Sequence, residues 1–151
     1  MSLTHTKAQH HAMRSLVIIV TLISATALLG GCGKSGVDRI QVNGKVTFNG
    51  AAPSANGTLT FTSVKPAEGY PARPGRAKFT QGDGTFTATT VNPGDGLVPG
   101  TYGVNITCWS RRPTEETPGI SYVPKNYTPP ELVIEPDQSG PIEYNLEIPS
   151  S

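Results

Sequence analysis

From position 40 onward, apolar residues recur at every second position rather than every third or fourth. Residues 40–48 place Ile40, Val42, Val46 and Phe48 on one parity, with Gly44 between them. Residues 58–64 continue the pattern with Leu59 and Phe61, and residues 76–80 and 85–91 are β-rich runs. The clearest alternation is 101–109. It sets Tyr102, Val104, Ile106 and Cys108 on one face and Thr101, Asn105 and Thr107 on the other. Residues 131–135 and 142–148 complete the series, with Tyr144, Leu146 and Ile148 sharing a face. A period of two over short runs predicts half-buried strands. No stretch after Cys32 sustains a period of 3.6. Seven short strands predict an all-β sandwich or barrel.

The breaks carry turn chemistry. Asn49-Gly50 marks a turn, and Asp83-Gly84 predicts a type I′ hairpin, whose two central residues need φ > 0. Pro99-Gly100 predicts a type II turn, with Pro setting φ at its first central position and Gly supplying φ > 0 at the second. Residues 65–75 hold three prolines and read as a loop. Residues 110–130 read as a long, Pro-rich, irregular connection; such segments are often functional or disordered.

The beginning of the chain follows a different rule. Lys7 and Arg14 precede an uncharged run over 16–29, and Leu29-Gly30-Gly31-Cys32 follows at its end. An apolar run of about 14 residues suits a signal peptide; a comfortable transmembrane helix needs about 20. Leu29, Gly30, Gly31 and Cys32 resemble the lipobox of bacterial lipoprotein precursors. The resemblance implies cleavage of residues 1–31, a diacylglyceryl group on the Cys32 thiol and acylation of the new amino terminus. Residues 32–39 then form a lipidated tether, and 40–149 a single domain. The expected location is the bacterial cell envelope, membrane-anchored and facing outside the cytoplasm.

Within that domain, Gly44-Lys45-Val46-Thr47-Phe48-Asn49-Gly50 and Leu97-Val98-Pro99-Gly100-Thr101-Tyr102-Gly103-Val104 resemble carboxypeptidase-regulatory-like, transthyretin-like domains. Val123-Pro124-Lys125-Asn126-Tyr127 and Leu132-Val133-Ile134-Glu135 resemble the C-terminal part of small planctomycete lipoproteins of that type. The resemblance covers about residues 40–148. It implies a seven-stranded, Greek-key, prealbumin-like β-sandwich and transfers little function.

Charge narrows the partners. The full chain carries 12 basic and 11 acidic residues. Loss of Lys7 and Arg14 with the signal leaves about −1. No basic field suits nucleic acid, and no polybasic patch assists membrane attachment, so the membrane is expected to hold the protein through lipid on Cys32. Two or three acyl chains suffice, since each buried methylene contributes about 0.8 kcal/mol. Cys108 is left without an internal disulfide partner and reads as a small buried residue.

Candidate chemistry is sparse. His5, His10 and His11 all precede the cleavage site, which removes Ser-His-Asp and Cys-His catalysis and the usual zinc sites. Glu115, Glu116, Glu143 and Glu147 read as solvated charges. Gln81-Gly82-Asp83-Gly84 and Asn92-Pro93-Gly94-Asp95-Gly96 superficially look like calcium loops, but each offers one acidic side chain where calcium takes six to eight oxygens. No catalytic residue, metal or cofactor is expected. Trp109, Arg111, Arg112 and Tyr122 offer a binding surface, since an aromatic-lined loop with Arg can stack on a sugar or capture an anion. The competing reading makes Trp109 and Tyr127 a plug at the sandwich edge and the arginines solvated. The expected function is a non-enzymatic, lipid-anchored β-sandwich for scaffolding, adhesion or protein interaction. The alternatives are a carbohydrate-binding module using loops 66–75 and 110–130, and a hydrolase working with carboxylates alone.

Overall fold

The structure is a computed structural model that describes residues 37–149. Leu29, Gly30, Gly31 and Cys32, with the rest of the expected signal segment, lie outside the described residues. Nine strands and no helix form there: β1 (Val42–Phe48), β2 (Gly57–Pro66), β3 (Gly75–Phe79), β4 (Thr85–Thr87), β5 (Gly100–Arg111), β6 (Ile120–Ser121), β7 (Leu132–Ile134), β8 (Ile142–Glu143) and β9 (Leu146–Ile148). One sheet has β1 at its centre, antiparallel to β4 on one side and parallel to β8 and β9 on the other. The second runs β3-β2-β5, with β6 and β7 both antiparallel to β5 along its far edge.

The period-two pattern explains the core. Val42 and Val46 of the first sheet and Leu59, Phe61, Phe79, Ile106 and Cys108 of the second are all buried, and among the described residues no polar or charged residue is buried. Each buried Val, Leu, Ile or Phe contributes about 1.5–3 kcal/mol relative to exposure. The expected inner face of residues 101–109 forms, with Tyr102, Ile106 and Cys108 inside and Val104 only partly buried. The rings of Phe61 and Tyr144 meet edge to face between the sheets, centroids 6.3 Å apart.

Nine strands stand where seven short ones were expected, for two local reasons. The last expected run is divided into β8 and β9 at Tyr144-Asn145, although both halves keep one register against β1. At the gap the Lys45 amide bonds the Asn145 side-chain oxygen at 2.9 Å in place of a backbone carbonyl. Gly44 lies opposite, where a Cβ would stand 2.0 Å from the Tyr144 carbonyl oxygen. The ninth strand, β6, forms inside the segment read as irregular.

The turns divide likewise. Asn49 and Gly50 have φ of 47° and 75°, and Phe48 and Ala51 exchange hydrogen bonds of 2.8 and 3.0 Å across them. That is the two-residue turn that Asn-Gly favours. The expected type I′ hairpin at Asp83-Gly84 does not form. Gly82 and Gly84 have positive φ but Asp83 does not, because this connection leads from β3 in one sheet to β4 in the other. The expected type II turn at Pro99-Gly100 is also replaced. Gly100 has φ of 148°, well beyond the roughly +80° of such a turn. It already belongs to β5, paired with Pro66 on one side and Ile134 on the other.

Candidate binding surface around Trp109

Trp109 reaches the surface through the same parity that buries Cys108. It stands on the outer face of β5, 36% exposed, where β6 folds back and pairs Ser121 with Trp109 and Ile120 with Arg111. The connecting segment is fastened internally. Arg111 Nη2 donates to the Pro118 carbonyl at 3.2 Å, and the Thr114 amide to the Thr117 carbonyl at 2.9 Å. Gly119 lies against the indole: a Cβ there would stand 2.9 Å from Trp109 Cζ3. The ring is thus supported from one side.

Two depressions share Trp109 as a wall. One, about 690 Å³, lies toward β6 and is lined also by Asn105, Ser121, Lys125 and Tyr127. The other, about 580 Å³, extends over β2 and β3 and is lined by Asn56, Thr58, Lys78, Thr107 and Arg112. A third of about 350 Å³ adjoins it through Thr58 and reaches Thr60, Arg76 and Thr89. These depressions offer hydroxyls, amides, ammonium and guanidinium groups beside one broad aromatic face.

The four residues singled out from the sequence do not form one cluster. Trp109 and Arg112 share the second depression. Arg111 is adjacent but turned back onto its own loop. Tyr122 packs elsewhere, half-buried at the sandwich edge, with its ring edge-to-face on Phe48 at 6.4 Å. Tyr127 is also partly buried against the core, so it both plugs the edge and lines the first depression. Burial, then the Glu147 charge, push its phenol above the ordinary range.

Both loops named from the sequence contribute to the linked depressions: Pro74 of 66–75 lines the third, and Gly119, Lys125 and Tyr127 of 110–130 line the first. β2 pairs Gly57 with Cys108 at one end and Pro66 with Gly100 at the other, so the two loops leave opposite ends of the sheet. Residues 66–75 return to the sheet at Gly75, opposite Phe61, and at about 3.3 Å per residue roughly 13 Å of strand separates that level from the Gly57–Cys108 end. The pattern left out Lys78, Asn105, Thr58 and Thr107. Their outward parity was readable, but the register that sets Thr58 between Lys78 and Thr107 belongs to the tertiary structure.

Several acidic side chains are engaged in holding the backbone. Glu147 accepts the Thr47 hydroxyl and the Gly50 amide, tying β9 to the turn after β1. Asp95 accepts the amides of Thr90 at 2.8 Å, Asn92 at 2.9 Å and Val91 at 3.1 Å, and Arg39 Nε lies 3.5 Å away. Burial pushes the Asp95 carboxyl up, but the three amides and the Arg39 charge together hold it below its ordinary value. The segment that looks like a calcium loop is therefore a loop capped by its own carboxylate. Asp83 accepts the Thr85 hydroxyl. Among the described residues no group of three or more His, Cys, Asp and Glu is placed to hold a metal ion. The Cys108 thiol is buried, donates to the Ala55 carbonyl at 3.6 Å and is raised in pKa by that burial.

No family model, curated protein or solved structure matches the chain.

Proposed function

We propose that the chain is a lipid-anchored, non-enzymatic β-sandwich of a bacterial envelope that holds a partner on its Trp109 face, for adhesion or scaffolding. The anchor reading rests on Leu29-Gly30-Gly31-Cys32 after an apolar run. The binding reading rests on one observation: a partly exposed indole on the outer face of β5, braced from one side, stands between two depressions. Such an aromatic anchor within concave surroundings is the usual centre of a recognition surface. Support for transthyretin-like, Greek-key connectivity comes from the crossing of the chain between sheets after β3 and from the parallel return of β8 and β9 beside β1. Glycan binding is the second reading. The indole favours it, and residues of both loops 66–75 and 110–130 line the depressions linked to it.

Two measurements test the proposal. Mass spectrometry of the membrane-bound protein is expected to show an acylated peptide beginning at Cys32, lost in Cys32→Ser. A photoreactive side chain at Lys78, beside Trp109, is expected to capture an envelope component that one at Lys45, on the opposite sheet, does not. Equal capture from both faces would remove the Trp109 surface as the docking site.

A further inference from the structure

Strands β2, β3 and β5 carry a charge opposite to that of their domain. All 11 acidic residues of the chain fall within the described domain, against nine of its 12 basic ones, since Lys7, Arg14 and Lys34 lie outside it. Yet β2, β3 and β5 contain no Asp or Glu, and they carry Lys65, Arg76, Lys78 and Arg111. The first depression opens at the β5–β6 edge, where Ile106, Val123 and Tyr127 also line it, and the three follow one another through shared walls, Trp109 joining the first to the second and Thr58 the second to the third. Together they are lined by Lys125, Lys78, Arg112 and Arg76, and by no carboxylate. Arg76, Lys78, Arg112 and Lys125 are all exposed.

We infer that the surface these depressions form is a track for a linear anionic polysaccharide, one bearing uronic carboxylates or sulfate esters. The inference rests on the Trp109-face reading and names its ligand class. Each structural element matches one property of such a chain. Linked depressions suit a polymer rather than a single small molecule. The cations are spread along the track, as repeating anionic groups require, and none is neutralised by an acidic side chain in the lining. Trp109 offers a flat apolar face to a sugar ring, whose axial hydrogens make it apolar on one side. Asn105, Thr107, Thr58 and Thr60 supply neutral donors and acceptors to ring hydroxyls. A single-stranded nucleic acid would call for successive aromatic platforms, one for each stacked base, and this track has one exposed indole.

The test is binding of the full-length, detergent-solubilised protein to polygalacturonate and chondroitin sulfate, with dextran as the neutral polysaccharide and polyphosphate and single-stranded DNA as anionic polymers without this sugar chemistry. The expected result is binding to an acidic polysaccharide that weakens with added salt and exceeds that to the three comparison polymers. Trp109→Ala is expected to lower this affinity about tenfold or more, as is the pair Arg76→Gln with Lys78→Gln, with melting temperatures close to the parent. Binding to neither acidic glycan overturns the inference and leaves the Trp109 surface to the cross-linking experiment. Equal binding of dextran overturns the anionic requirement alone, and equal binding of polyphosphate or DNA overturns the sugar requirement. Acidic-glycan binding unchanged by Trp109→Ala overturns both the inference and the surface it rests on.

Discussion

The phenol of Tyr102 donates a 2.7 Å hydrogen bond to the carbonyl of Val98, four residues back in the chain. Both residues are almost wholly buried, and Tyr102 is the largest of the fully buried side chains. The bond fixes the corner at which the chain enters β5, and it replaces the turn bond expected at Pro99-Gly100. Removing the hydroxyl leaves the ring in place and a buried carbonyl without its partner. Tyr102→Phe is therefore expected to cost about 1–3 kcal/mol, read as a lower denaturant midpoint at unchanged slope. No change would mean that the corner is held by packing alone.

Asp95 and the amides around it give a pH-dependent prediction. Its carboxyl is held below the ordinary value of 3.8, so the folded state favours the ionised form. The resulting stability is present above that value and is lost as pH falls through the lower folded value. Acid unfolding of the parent is expected to begin near pH 4 and continue below it. Asp95→Asn is expected to lose part of that dependence and, at neutral pH, about 1 kcal/mol, a small figure because the loop is partly solvated. Calcium is expected to leave the melting temperature unchanged, since this carboxylate is already engaged by backbone. A rise of several degrees with calcium would show that the loop opens to bind it.

The fold was more legible than the surface, and particular residues show why. Parity along one strand is a local property, so the burial of Val42, Val46, Leu59, Phe61, Ile106 and Cys108 could be read from alternation. The corner at Tyr102 could not, because the Val98 carbonyl accepts from a side-chain hydroxyl rather than from a turn amide. β6 has only Ile120 and Ser121, too short for a period, and exists because β5 offers it an open edge. The Trp109 surface was half legible. Trp109 and Arg112 belong to it, but Tyr122 points elsewhere by virtue of Phe48, a partner 74 positions away. Lys78 joins it through a strand pairing that no local pattern encodes.

Tyr144 predicts the alkaline limb of stability. Burial first, then the neighbouring Tyr127, push its phenol far above the ordinary value of 10.0, and its hydroxyl donates to the Pro130 carbonyl. The folded state thus keeps a proton that the unfolded chain releases above pH 10. Stability is fully present below that value and is lost as pH rises beyond it. Tyr144→Phe is expected to cost about 1 kcal/mol at neutral pH and to flatten, without abolishing, the loss above pH 10. Tyr102, Tyr127 and the Cys108 thiol are raised as well and contribute alongside it. An alkaline slope unchanged by the substitution would place the titrating group elsewhere.

Arg111 and Arg112 are neighbours in sequence with different work in the structure, and single substitutions are expected to separate them. Arg111 donates to the Pro118 carbonyl and closes the loop that braces Trp109. Arg112 lines the depression over β2 and β3 beside the indole. Arg111→Ala is expected to lower the melting temperature slightly and to increase proteolytic cleavage within residues 112–119, because loosened exposed loops are the preferred sites of nicking. It weakens partner binding only as far as the loop supports the ring. Arg112→Ala is expected to leave melting and proteolysis unchanged while weakening capture at Lys78, since a surface cation removed from a binding track acts on association rather than on folding. Equal effects of the two substitutions on stability would make both arginines structural. Equal effects on binding, with stability untouched, would place Arg111 on the recognition surface despite its bond to Pro118.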